Sequence, residues 1–143
     1  MAVNPIPEDR ACLSPYLVVK GADAIIEFLK QTFNGVETLR SVLPSGAVMH
    51  AEVKIRDCVV MISDASDEVP PFPAMMNVYV EDVDDTYTRA LRAGATSLRE
   101  PRDEVYGDRS AGVKDVAGNV WWIAAHVRDL TPEEWEKVLN PKN

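Results

Sequence analysis

Cysteine is scarce in this chain: only Cys12 and Cys58 occur in 143 residues. Two isolated thiols cannot form a disulfide framework or a zinc knuckle. Both sit in apolar, strand-like runs, so each is expected to be a buried, reduced small hydrophobe. No apolar run approaches the roughly 20 residues that a membrane helix needs. The stretch Met1–Arg10 carries Pro5, Pro7, Glu8 and Asp9 without an apolar core, so no signal peptide is expected and the cytoplasm is the expected location. Positive charge is also short, with 15 Lys and Arg against 23 Asp and Glu and a net charge of −8. The basic residues are scattered beside acids, as in Arg99-Glu100 and Arg102-Asp103-Glu104, which argues against a nucleic-acid partner. A phosphate loop, a nucleophile elbow and a Cys–His pair are all missing. The acidic runs Glu81-Asp82, Asp84-Asp85 and Asp64–Glu68 lack the spaced oxygens and glycine of an EF-hand.

The chain does have an apolar fraction of 46% and a charged fraction of 27%, the balance of a globular protein. Its length suits one domain, 1–143, with a core that needs no staples. Leu13–Val19 reads as a strand. Gly21 then opens a helical pattern, with Ile25, Ile26, Leu29 and Phe33 on one face and Gly35 as its stop. Val36–Leu43, Ala47–Ile55 and Cys58–Ser63 follow as strands. After Pro70-Pro71-Phe72-Pro73 the order repeats. Ala74–Val80 is a strand, Asp82 caps a helix that ends at Gly94, and Thr96–Glu100, Arg109–Asp115 and Val120–His126 are strands. The chain is therefore expected to be α+β. Two tandem βαβββ units, 12–66 and 74–127, would form a curved mixed sheet around a cleft. Thr131-Pro132-Glu133-Glu134 starts a short C-terminal helix, 131–139, that would pack on the body or on a partner subunit. Ser14 matches Met75 and Met61 matches Trp122 at one common offset between the units.

Strand alternation predicts which side chains meet a ligand. A tight turn at Arg56-Asp57 places Lys54 opposite Val59, Glu52 opposite Met61 and His50 opposite Ser63. The same offset in the second unit pairs Asp115 with Val120, Val113 with Trp122, and Arg109 with His126. One face then carries His50, Glu52, Met61 and Ser63, and its counterpart carries Arg109, Val113, Trp122 and His126. Apolar walls with a few orienting polar groups suit a small, partly apolar ligand.

The stretches PYLVVKGADAIIEFLKQTF, VMHAEVKIRDCVVMISDA, VYVEDVDDTYTRALRAGAT and YGDRSAGVKDVAGNVWWIAAH resemble the vicinal oxygen chelate superfamily. That superfamily includes glyoxalase I, extradiol dioxygenases and bleomycin-resistance proteins, and the likeness is greatest to its PhnB-like glyoxalase subgroup. It covers roughly residues 13–127, with YGDRSAGVKDVAGN its most specific piece. The subgroup commonly has Gly-His at the last turn, where this chain has Gly118-Asn119. The resemblance implies four metal-ligand positions at or beside Ser14, Met61, Met75 and Trp122. None is His or Glu, so neither a metal nor any other cofactor is expected.

Several readings stay open. Glu52 can act as a general base, pair with His50 as the remnant of a relocated metal site, or belong with it to a solvated strand face. Arg109, after Tyr106-Gly107-Asp108, can hold an anionic group or only fix its loop. Trp122 can stack on a ligand or pack, and His126 can orient a ligand or sit at a strand end. The resemblance implies a metal-independent, dimeric small-molecule-binding protein. Its alternative is a lyase, isomerase or dioxygenase that uses Glu52 as base or a displaced divalent metal.

Overall fold

The computed structural model describes residues 2–142. The first unit comprises β1 (Tyr16–Val19), α1 (Ala22–Phe33), β2 (Val36–Val42), β3 (Val48–Ile55) and β4 (Cys58–Asp64). The second comprises β5 (Met75–Tyr79), α2 (Val83–Arg92), β6 (Thr96–Asp103), β7 (Asp108–Lys114) and β8 (Val120–His126), and α3 (Pro132–Leu139) follows. Each unit builds its own four-stranded mixed sheet, in the order β1-β4-β3-β2 or β5-β8-β7-β6. The α+β class and the duplicated βαβββ order are thus as the sequence indicates. Among the described residues no helix is long and apolar enough to cross a membrane.

Local chemistry places the helices. The carboxylate of Asp64, at the end of β4, accepts from the N–H groups of Gly21 and Ala22 at the start of α1 and from that of Val48 in β3. One side chain thereby ties the helix start to two strands, a placement the helix dipole favours. Asp82 caps α2 by accepting from the Asp85 N–H, and Thr131 caps α3 by accepting from that of Glu134.

Burial is on one side of each sheet. Ile25, Ile26, Leu29 and Phe33 of α1 join Ala51, Val53 and Ile62 of the first sheet and Ala111, Val113, Trp121 and Ile123 of the second in one apolar cluster. Phe28 and Phe33 lie 5.9 and 5.4 Å, centroid to centroid, from the Trp121 ring. The first unit's helix therefore seals an indole of the second. Asp115 holds that indole from below. Its carboxylate accepts from Trp121 Nε1 at 2.8 Å and from the backbone N–H groups of Ala117 and Asn119. Asn119 in turn accepts from the Ala74 N–H at the entry to β5. This accounts physically for the Asp-x-x-Gly-Asn turn: it is a buried polar knot in which the Ala117 and Asn119 N–H groups, the Asn119 side-chain amide and the Trp121 indole all donate to one carboxylate. The other side of each sheet, its open face, carries no helix.

Four local expectations are corrected. The strand expected from Leu13 begins at Tyr16, because Pro15 has no N–H to give and contributes only its carbonyl, to the Met61 N–H. Cys12 is exposed and Cys58 half-buried, so neither is the sealed thiol expected. β6 runs past Glu100 to Asp103 with a break in register between Arg99 and Arg102, and tolerates Pro101 because it is an edge strand. The fourth concerns the second hairpin. The first keeps its expected register, with Lys54 opposite Val59 and Glu52 opposite Met61. In the second, Lys114 rather than Asp115 pairs with Val120, Val113 with Trp121, Gly112 with Trp122, and Asp108 with His126. The cause is Asp115, whose N–H closes onto the Asn119 carbonyl while its carboxylate folds back into the turn, shifting the ladder by one residue. A one-residue shift exchanges the faces of a whole strand.

Candidate functional site

On the first open face, Met61 has Tyr16 as its neighbour on β1 and Glu52 as its neighbour on β3. Glu52 is only 7% exposed although it faces away from the core. What covers it is Arg10, reaching over from the N-terminal segment with Nη2 at 2.8 Å from Oε1 and Nη1 at 3.1 Å from Oε2. His50 Nε2 lies 2.9 Å from Oε2, and its Nδ1 lies 3.1 Å from the Tyr16 hydroxyl. Hydrogen bonds from Arg10 and then His50 hold the Glu52 carboxyl below the usual carboxylate range. Beside this chain opens a cavity of about 640 Å³, lined by Tyr16, Val18, Met49, Ser63, Val69 and Phe72 among others. Its size is that of a small-molecule pocket. A more polar crevice of about 440 Å³ lies at the junction of the units, beside α2 and against Asp82, Asp85 and Arg89.

The second open face repeats the row with other chemistry. Asn77, Trp122, Gly112 and Arg99 stand side by side across β5, β8, β7 and β6. Trp122 lies down across Gly112: a Cβ at that position would sit 2.4 Å from indole Cζ3. The lack of a side chain there lets the ring reach Arg99, whose guanidinium carbon is 5.1 Å from the ring centroid, a cation–π distance worth about 0.5–2 kcal/mol. Arg99 also pairs with Glu104 at 2.6 Å and with the Ser110 hydroxyl, and Arg102 joins the same carboxylate at 3.1 Å.

At the end of this face the nearly buried Asp108 accepts from the Tyr79 hydroxyl at 2.7 Å and faces His126 Nδ1 at 3.1 Å. His126 Nε2 is 2.7 Å from Asp129. Asp129 first, then Asp108, raise the His126 pKa above its ordinary value. A raised folded-state pKa contributes stability that is complete below the unfolded value of about 6.5 and disappears as pH rises through the folded value. His126→Gln is therefore expected to be less stable than the parent in mildly acidic buffer, and the gap should close above neutrality. Urea unfolding across a pH series measures it; a gap that widens with pH contradicts the assignment.

The structure brings His50, Glu52, Met61 and Ser63 to the first open face and Trp122 and His126 to the second. Arg109 is not among them. The register shift turns it to the helix side, where it pairs with Asp84 of α2 at 2.8 and 2.9 Å and with Asp103 at 3.1 Å. Its expected place opposite His126 belongs to Asp108. Tyr106 stands in the turn between β6 and β7, exposed and outside these networks. Sequence reasoning missed Arg10, Tyr79, Arg99 and Asp108. Asp108 and Arg99 follow once the hairpin is in register. Arg10 lies 42 residues from its partner in a segment without periodicity, and nothing local announces it.

A divalent metal of the kind the resemblance implies does not fit these residues. The strand ladders set Tyr16 rather than Ser14 beside Met61, and Asn77 rather than Met75 beside Trp122, and these residues offer a phenol, a thioether, an amide and an indole. The nearest imidazole and carboxylate, His50 and Glu52, are bound to each other and to Tyr16 and Arg10. Hard and borderline cations need free nitrogen and oxygen ligands. Among the described residues no group of three His, Cys, Asp or Glu side chains converges on one point.

The model of the Glyoxalase/Bleomycin resistance protein/Dioxygenase superfamily matches residues 11–123. The uncharacterized protein Mb0911c of Mycobacterium bovis is 32% identical over 154 aligned positions, which span 98% of this chain and 97% of that protein. Among solved structures, TioX from Micromonospora sp. ML1 superposes with a TM-score of 0.69 at 24% identity, over 82% of this chain and 99% of TioX. A glyoxalase/bleomycin resistance protein/dioxygenase family enzyme from Burkholderia phytofirmans PsJN gives 0.63 at 19% identity, over 78% and 95% of the two chains. At such identities the superpositions establish the shared fold.

Proposed function

Since the chain belongs to the glyoxalase/bleomycin resistance protein/dioxygenase superfamily, we propose that it binds a small, partly apolar molecule on its open sheet faces without a metal. In this reading a second copy completes the cleft, so that the Met61 row of one subunit faces the Trp122 row of the other, in the cytoplasm. The observation that carries the reading is the pair of matching rows: an apolar or aromatic centre, Met61 or Trp122, flanked on each sheet by oriented polar groups. Tyr16 is 43% exposed and Tyr79 57%, which supports faces that await a counter-wall. The cavity of about 640 Å³ beside Tyr16 supplies apolar area of ligand size.

Two measurements test this. Light scattering after gel filtration should give twice the chain mass of 15.8 kDa; a monomer at working concentration removes the completed cleft. A thermal-shift screen of small aromatic and heterocyclic compounds should find stabilising ligands, since a hundredfold excess over Kd adds about 2.7 kcal/mol. Trp122→Ala should fold but lose the response, because the side chain lies outside the core. A response that survives in Trp122→Ala takes this residue out of the site.

A further inference from the structure

The four polar side chains around Met61 form a directed chain, and its direction can be worked out. Arg10 donates to both oxygens of Glu52, so that carboxylate is ionised and only accepts. His50 Nε2 must then carry a proton to meet Oε2 at 2.9 Å. In the neutral ring this leaves Nδ1 as an acceptor, and the Tyr16 hydroxyl at 3.1 Å donates into it. The Tyr16 oxygen is left with lone pairs at an exposed position, beside Met61 and at the rim of the apolar cavity.

We propose that Tyr16, His50 and Glu52, braced by Arg10, form a proton-accepting relay for a ligand carrying an acidic hydroxyl, a phenol or an enol. This rests on the reading of the first open face as a ligand wall. The ligand O–H bond breaks and its proton moves to Tyr16 Oη. The proton already on Oη moves to His50 Nδ1. The ligand becomes an oxyanion and His50 an imidazolium, whose Nε2–H stays on Glu52. One O–H bond is lost and one N–H bond is formed, with no oxidant or cofactor. Glu52 itself takes no proton: both its oxygens are occupied, and its carboxyl titrates below the usual range. It is a positioning residue, as is Arg10.

The probe is 4-nitrophenol, whose phenolate is yellow. At a pH about one unit below its free midpoint, adding the protein should raise the phenolate absorbance severalfold, since a downward shift of one unit in the bound state alters the protonation ratio about tenfold. Tyr16→Phe and His50→Gln should each abolish the rise, and Arg10→Met should weaken it. Tyr87→Phe, on the helix side where its hydroxyl meets Ser97, should leave it unchanged. Binding seen by tryptophan quenching with the phenol still colourless overturns the relay and leaves the ligand wall standing. A rise that persists in Tyr16→Phe or His50→Gln also overturns the relay. Absence of both binding and colour overturns relay and wall together. Nitrogen NMR of the free protein gives a separate reading. His50 should carry its proton on Nε2, and its Nδ1 resonance should move in Tyr16→Phe; an Nδ1–H tautomer overturns the relay.

Discussion

Trp121→Ala is expected to remove about 3–5 kcal/mol of stability, the range for a large aromatic deleted from a core. The melting temperature should fall by roughly 10 °C for a chain of this size. Trp121 is 1% exposed and packs against Phe28 and Phe33 across the boundary between the units. Its loss leaves a cavity where the two halves meet and takes a donor from the buried Asp115. Trp121→Phe separates the two contributions. It keeps most of the ring volume but leaves one carboxylate oxygen a hydrogen bond short, and should cost about 1–3 kcal/mol. Urea unfolding of both variants measures this. A loss under about 1 kcal/mol in the alanine variant would mean that the two halves do not depend on this contact.

Gly107→Ala is expected to act at the other end of the second unit. Gly107 has φ +96°, and its carbonyl accepts from the N–H groups of Val127 and Arg128. A Cβ would sit 2.4 Å from the Arg128 carbonyl oxygen and 2.7 Å from Leu130 Cδ1. The left-handed backbone costs a residue with a side chain about 1–2 kcal/mol. The clash with backbone, which cannot rotate aside, adds to that, for a total of about 2–4 kcal/mol. The segment 127–130 must move away, carrying α3 and parting Asp129 from His126. Hydrogen exchange should speed up at Val127 and Arg128 while the amides of β3 and β4 keep their protection. Unchanged exchange there would place the strain elsewhere.

Both variants touch features that the sequence shows unequally. Trp121-Trp122 must put its indoles on opposite sides of one strand, so alternation alone makes one of them core and the other open. Trp121 is the buried one because it shares its parity with Ile123, an apolar β-branched residue of the same strand face. Gly107 looked like an ordinary loop residue, because the atoms that forbid a side chain there belong to Arg128 and Leu130, which the fold brings back to it.

The two open faces divide in the same way. The Arg56-Asp57 turn is tight and local, so the pairing of Glu52 with Met61 could be read directly, and with it the His50, Glu52, Met61 set. The second hairpin turns on Asp115, whose carboxylate bonds inside its own loop. That choice moves the ladder by one residue, sends Arg109 to α2 and brings Asp108 to His126. The choice depends on the buried Trp121 N–H and on Asn119, and so on packing. Arg10 is the extreme case, since an ion pair across 42 residues leaves no trace in local pattern.

By itself the sequence determined the class, the duplication, the N-caps of α2 and α3 and the sidedness of most strands, because apolar periodicity and turn chemistry act over a few residues. Tertiary structure alone decided which polar groups meet: Arg10 on Glu52, Arg99 on Trp122, Asp108 on His126. The physical reason is range. Hydrogen bonds and ion pairs form wherever the folded chain places donor against acceptor, and a shift of one residue in a single turn is enough to change every such meeting on a strand.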